Sequence, residues 1–188
     1  MTKNIMIVGV GGQGTLLASR ILGNTVINEG YDVKVSEVHG MSQRGGSVVT
    51  YVKYGDKVYS PIIDRGEADI ILAFEKLEAY RALPYLKKGG QIIVNTQSID
   101  PMPVITGAAS YPEGIEDKIA AKADLTAVDA LSLAKEAGNI KAVNVVLIGI
   151  MAKNTDIPYE KWVETIKTTV PAKFLEINLK AFDLGYNI

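Results

Sequence analysis

Residues 4–8 are apolar at nearly every position, the pattern of a strand covered on both faces rather than one. A glycine-rich break at 9–14 follows. Residues 15–29 then place Leu16, Leu17, Ile21, Leu22, Val26 and Ile27 at helical spacing, with Gly30 as the stop. Residues 32–37, which include Val33 and Val35, predict a second short strand. Strand, glycine loop, helix and strand make one βαβ unit, whose crossover is expected to be right-handed.

Residues 38–46 carry few apolar anchors and many glycines and hydrogen-bonding groups, so they read as a loop. Residues 47–53 alternate in β-branched and aromatic types, and Gly55-Asp56 separate them from residues 57–60, a pattern that predicts a hairpin and therefore a mixed sheet. Two further apolar strands are predicted at 68–74 and 91–95, joined by a helix over 75–87 that Gly89-Gly90 would close. Periodicity fades over 98–112, where Val104-Ile105 could add an edge strand. The rest reads as helices at 113–121, 128–137, 141–153, 159–169 and 172–184, with a short strand near 123–127. Pro158 and Pro171 fall where first helical turns tolerate proline. The helix over 141–153 is apolar nearly all round, so the core or a second copy of the chain must cover it. The expected architecture is a three-layer, Rossmann-like α/β/α domain over residues 1–188, with a mostly parallel but mixed sheet and a helical C-terminal segment.

Composition narrows the chemistry. A chain of 188 residues with 47% hydrophobic content fits one domain and needs no covalent staples. It has no cysteine, which excludes disulfides, thiolate catalysis and cysteine-held iron–sulfur clusters within it. A single histidine, His39, excludes a histidine-based zinc site, and no metal is expected. Twenty basic against twenty-one acidic residues give a net charge of −1, without the positive field that nucleic-acid binding leaves. The first apolar run is too short for a secretory signal, and the longest later one, 145–152, is far below the ~20 residues of a membrane span. A cytoplasmic chain with no membrane or nucleic-acid partner is expected.

The candidate chemistry lies at the ends of the first two strands. Gly9-Val10-Gly11-Gly12-Gln13-Gly14 satisfies G-x-G-x-x-G after a strand and at the opening of a helix, where unpaired N–H groups and the helix dipole attract phosphate. The same glycines also serve a tight turn and close helix–strand packing. Glu37, ending the second strand, suits a ribose hydroxyl or is an ordinary strand-end carboxylate. The loop Ser36-Glu37-Val38-His39-Gly40-Met41-Ser42-Gln43-Arg44-Gly45-Gly46-Ser47 leaves the carboxyl edge of that strand. With a parallel arrangement it sits beside the glycine loop, where Arg44 offers a planar fork to an anion, and Ser42, Gln43 and Gly45 add neutral contacts. His39 has no partner in sequence and is expected to hold the loop by hydrogen bonding. Glu75 and Glu78 open a helix and complement its dipole, while Tyr159, Trp162 and Ile166 share one face and read as packing.

These segments resemble the gamma-type domain of the 2-oxoacid:ferredoxin oxidoreductases. The resemblance rests on Gly9–Gly14, on Ser36–Val48 and on Lys57-Val58-Tyr59-Ser60-Pro61, and it is similar to the indolepyruvate version. Ala73-Phe74-Glu75, Glu78-Ala79, 81–86 and Val94-Asn95-Thr96 continue it, so it covers the whole chain and is most specific before residue 100. It implies oxidative decarboxylation of an aryl 2-oxoacid with coenzyme A, giving aryl-acetyl-coenzyme A, carbon dioxide and reduced ferredoxin. It also implies that thiamine diphosphate, Mg²⁺ and [4Fe–4S] clusters belong to a partner alpha subunit and that none is held by this chain. Carried over by position, Gly11, Gly12, Gln13, Gly14, Ser42, Gln43 and Arg44 would meet the nucleotide end of coenzyme A or face that partner. Two other readings stay open: a nicotinamide-dinucleotide dehydrogenase using Gly9–Gly14 and Glu37, and a non-enzymatic nucleotide-binding module.

Overall fold

The computed structural model describes residues 2–40 and 45–188. Among them, six strands form one sheet: β1 (Lys3–Val10), β2 (Asp32–His39), β3 (Ser47–Gly55), β4 (Ala68–Ala73), β5 (Leu86–Asn95) and β6 (Asp124–Val128), in the order β2-β3-β1-β4-β5-β6. The helices are α1 (Thr15–Asn28), α2 (Lys76–Ala82), α3 (Met102–Ile105), α4 (Ile115–Ala120), α5 (Ala130–Ala137), α6 (Val143–Lys153), α7 (Tyr159–Thr169) and α8 (Leu175–Tyr186). From Ile5 to Val10 every residue of β1 is buried, which is why the run carries no alternation. Its side chains divide between two cores. Ile5 and Ile7 join Leu72, Ile93 and the helices α1, α5, α6, α7 and α8, while Met6 and Val8 join Ile71, Val94, α2 and α4. This is the three-layer α/β/α arrangement.

β4, β5 and β6 follow β1 in parallel. β3 is antiparallel to both β1 and β2, so β1 and β2 point the same way with β3 between them. The first two strands therefore do share a carboxyl edge, but they are not neighbours.

Several expectations need correction. The hairpin of β3 is made with β2 before it, not with 57–60 after it. Asp32 Oδ2 accepts the Val58 N–H at 2.9 Å, so that segment is tied down without becoming a strand. The helix expected over 75–87 ends at Ala82 and runs through a 3₁₀ turn, Leu83–Tyr85, into β5, because Pro84 cannot continue the ladder. Gly89-Gly90 lie inside β5 at an irregular register. A Cβ on Gly90 would stand 2.9 Å from the Asp69 carbonyl, so that glycine serves a close strand approach. Val104-Ile105 belong to α3, whose flanking prolines suit a first helical turn. Residues Val143 to Ala152 of α6 are all buried within the one chain, so its apolar surface supplies no self-contact. No helix of the described residues is long and apolar enough to cross a membrane.

Burial raises the Tyr51 hydroxyl, and three other phenols are pushed up to about 12. Burial pushes the Tyr54 hydroxyl up to about 12. Burial and then the hydrogen bond to Glu75 raise Tyr111 to about 12, and Tyr159 reaches about 12 chiefly because its hydroxyl donates to Asp183. Each folded value lies above the ordinary phenol value of about 10, so the native state holds these protons more tightly than the unfolded chain. Their contribution is present below about pH 10 and is lost as pH rises through about 12. The urea midpoint is expected to be lower near pH 11 than near pH 8, with tyrosinate absorbance rising as the chain unfolds; equal midpoints would contradict it.

Candidate functional site

The carboxyl edge of the sheet gathers the exits of β1, β4 and β5 and the entry of β3. After β1 the chain must turn sharply into α1, and it does so through Gly12 at φ +101° and Gly14 at φ +86°, conformations that L side chains adopt only with strain. No side chain of the described residues caps α1. Leu17 N–H donates to the Gly14 carbonyl at 3.2 Å, whereas the Thr15 and Leu16 N–H groups have no intrahelical acceptor and form the positive end of the dipole, the elementary requirement for holding an anion. Among the described residues nothing lies within 4 Å of the position a Cβ would take on Gly12. At Gly14 the same position is 2.7 Å from Asn144 Nδ2, and Asn144 Nδ2 donates to the Gly14 carbonyl at 3.3 Å. Gly9 is packed closely, with Gln13 Oε1 and Phe74 Cβ each 3.0 Å from its Cβ position.

Gln13 is a brace. Its Oε1 accepts the Val10 N–H at 2.7 Å and its Nε2 donates to the Phe74 carbonyl at 3.0 Å, joining the exits of β1 and β4. Asn95, buried at the end of β5, donates to the same carbonyl at 3.2 Å and accepts from Ala130 N–H at 3.2 Å. Glu75 caps α2 by accepting the Glu78 N–H at 2.9 Å, and its other oxygen takes the Ile99 N–H at 3.1 Å and the Tyr111 hydroxyl. The stabilising role expected of Glu75 is what the geometry shows.

The entry of β3 lies directly on the glycine loop. Gly11 N–H donates to the Gly46 carbonyl at 2.8 Å, and Gly45 N–H reaches the Gly11 carbonyl at 3.5 Å. Ser47, the next residue, donates through Oγ to Glu78 Oε2 at 2.5 Å, and Arg81 Nη1 donates to Glu78 Oε1 at 2.6 Å. A cleft of about 220 Å³ opens here, lined by Val10, Gly45, Ser47, Glu78, Arg81 and Met102.

The structure thus brings together Gly9, Gly11, Gly12, Gln13, Gly14 and Gly45, the last in the left-handed region at φ +79°. Ser42, Gln43 and Arg44 lie outside the described residues. Glu37 is elsewhere: it accepts Thr50 Oγ1 at 3.2 Å, and the intervening β3 sets it about 4.8 Å farther from β1 than a neighbouring strand would. That is not the adjacent-strand placement through which an acidic residue meets a dinucleotide's ribose. His39 is exposed and stands opposite Val48 at the end of β2; its ring forms no hydrogen bond among the described residues, so the expected loop-holding bond is not seen. The residues that sequence reasoning missed are Asn144, Asn95 and the Ser47–Glu78–Arg81 group. Asn144 had a legible signal, a buried amide within the otherwise apolar first turns of α6.

A family model described as pyruvate ferredoxin/flavodoxin oxidoreductase matches residues 4–188. The chain belongs to this family. Among relatives of this oxidoreductase-family chain, the protein of Pyrococcus horikoshii named indolepyruvate oxidoreductase subunit IorB is 47% identical, over 97% of this chain and 93% of the relative. The protein of the same name from Thermococcus kodakarensis is likewise 47% identical over 97% and 93%. The crystal structure of the keto/oxoacid ferredoxin oxidoreductase gamma subunit of Geobacter sulfurreducens superposes with a TM-score of 0.74 at 26% identity, covering 98% of this chain and 96% of that one. In the oxidoreductase-family chain, then, the uncapped helix and the β3 entry form one rim on the sheet edge where α/β proteins bind ligands.

Proposed function

We propose that this chain is the small subunit of an indolepyruvate oxidoreductase, acting on an aryl 2-oxoacid with coenzyme A. The observation that carries the reading is the near-full-length 47% identity to proteins named as that subunit. The chain has no cysteine, and among its described residues no group of three or more histidines or acids could hold a metal ion. The reading therefore assigns thiamine diphosphate with Mg²⁺ and the [4Fe–4S] clusters to a partner subunit. When bound there, the thiamine supplies the decarboxylating centre, and the clusters carry the electron pair onward to ferredoxin. In the net reaction the C–C bond to the carboxylate would break to release carbon dioxide, two electrons would pass to two ferredoxins, and the coenzyme A thiol would lose its proton as its sulfur bonds the acyl carbon.

This chain's own work in that scheme is to bind and orient. The N–H groups at the start of α1 receive the phosphates of coenzyme A, and Gly12 lets them approach because, among the described residues, no atom lies within 4 Å on that side. Gln13 and Asn144 hold the loop in its turn. The Gly45–Ser47 entry forms the facing wall. A nicotinamide-dinucleotide role fits less well, since Glu37 is bound to Thr50 and displaced by β3.

The purified chain is expected to be inactive alone, and mixing it with the thiamine- and cluster-bearing chain should give ferredoxin reduction that needs both indolepyruvate and coenzyme A. Full activity of the large chain alone would refute the reading. Tight NAD binding by the isolated chain in calorimetry would favour the dehydrogenase instead.

A further inference from the structure

Glu78 does more than complement a helix dipole. It is buried, and both of its carboxylate oxygens are engaged, one by Ser47 Oγ at 2.5 Å and one by Arg81 Nη1 at 2.6 Å. A buried carboxylate is costly unless paired and hydrogen-bonded in this way. Its reach is unusual for a brace of local structure. α2 follows β4, whereas Ser47 opens β3, and β1 lies between those strands in the sheet. Ser47 stands opposite Val10, the last residue of β1. The residue before it, Gly46, offers the carbonyl that receives the Gly11 N–H at 2.8 Å. A continuous series of contacts thus runs from α2 through Ser47 and Gly46 into the glycine loop, and that loop leads to the uncapped start of α1.

We propose that Glu78 is a positioning residue, which through Ser47 fixes the Gly45–Ser47 entry against Gly11 and so sets the spacing of the backbone amides that receive the coenzyme A phosphates. This rests on the function proposed above. Arg81 completes the device: its side chain is half-exposed, and its bond to Oε1 holds the carboxylate in the rotamer that meets Ser47. No atom of Glu78 need touch the ligand, which separates its role from that of the glycine loop itself.

The test uses the reconstituted two-subunit enzyme carrying Glu78→Ala, Glu78→Gln or Ser47→Ala. Glu78→Ala and Ser47→Ala are expected to raise the KM for coenzyme A about tenfold, the scale of a hydrogen bond to a charged group. They should leave kcat and the KM for indolepyruvate within about twofold, the signature of weakened binding rather than impaired chemistry. The calorimetric Kd of coenzyme A for the complex, measured without oxoacid, should rise in step. Glu78→Gln retains an acceptor for the Ser47 hydroxyl and should recover most of the loss. If Glu78→Ala fails to assemble, Ser47→Ala, at an exposed residue, carries the test by itself. An unchanged Kd and KM for coenzyme A in Ser47→Ala, or a rise of the indolepyruvate KM alone, overturns the proposal while leaving the proposed function standing. A wild-type complex that neither binds nor consumes coenzyme A overturns both.

Discussion

Gly185→Ala is expected to lower the melting temperature of the chain by roughly 10 °C. Gly185 of α8 faces the backbone of α6 so closely that a Cβ there would stand 2.0 Å from the Val146 carbonyl oxygen and 2.9 Å from its carbon. The contact is reciprocal: a Cβ on Gly149 would stand 2.3 Å from the Phe182 carbonyl oxygen and 2.8 Å from the Tyr186 nitrogen. Because these obstacles are helix backbone rather than side-chain ends, the helices must part, and the buried Val146, Ile150 and Phe182 lose their packing together. Overpacking of a core costs about 1–3 kcal/mol and occasionally more, and a backbone obstacle puts this substitution at about 3 kcal/mol or above. At about 2–4 °C per kcal/mol for a domain of this size, calorimetry should resolve the change without difficulty. Gly40→Ala, where nothing among the described residues lies within 4 Å of the new Cβ, should stay within about 0.5 kcal/mol of the parent. Equal melting temperatures for Gly185→Ala and the parent would mean that α6 and α8 do not cross at these glycines.

That crossing also marks the limit of what the sequence discloses. The all-round apolar character of α6 announces that it is buried, and the apolar runs at 5–8, 70–73 and 92–94 announce strands covered on both faces, because such patterns have few other solutions. Which elements do the covering is decided by pairing between distant segments. β3 prefers β1 and β2 to the nearer residues 57–60, a choice that Asp32 enforces by holding Val58. Pro84 ends α2 through the hydrogen bond it cannot make, while Pro101 and Pro103 favour the first turn of α3 through their fixed φ. At the site, the glycine loop was legible because its turn and the helix after it are consecutive in the chain. The pairings that hold it were not: Asn144 stands out as an amide in an apolar helix, but its target Gly14 lies 130 residues away, and Glu78 reaches Ser47 from 31. No local pattern encodes those separations.

Gly12→Ala distinguishes the two uses a glycine loop can have. At φ +101° any L side chain is strained, which costs about 1–2 kcal/mol and lowers the melting temperature by a few degrees. Among the described residues nothing within 4 Å opposes the added methyl, so they accept it with no further loss. The same methyl, however, projects into the space through which a phosphate would approach the first-turn amides of α1, which no side chain of the described residues caps. Each hydrogen bond to a charged group is worth about 1.5–3 kcal/mol, so displacing the anion from one or two of them should weaken coenzyme A binding by about a hundredfold. The measurement is the Kd of coenzyme A for the reconstituted complex, set beside the melting temperature of the same preparation. A lowered melting temperature with an unchanged Kd would mean that the glycine serves the turn alone. A Kd raised a hundredfold beside a shift of only a few degrees would mean that the open side of Gly12 is where the ligand lies.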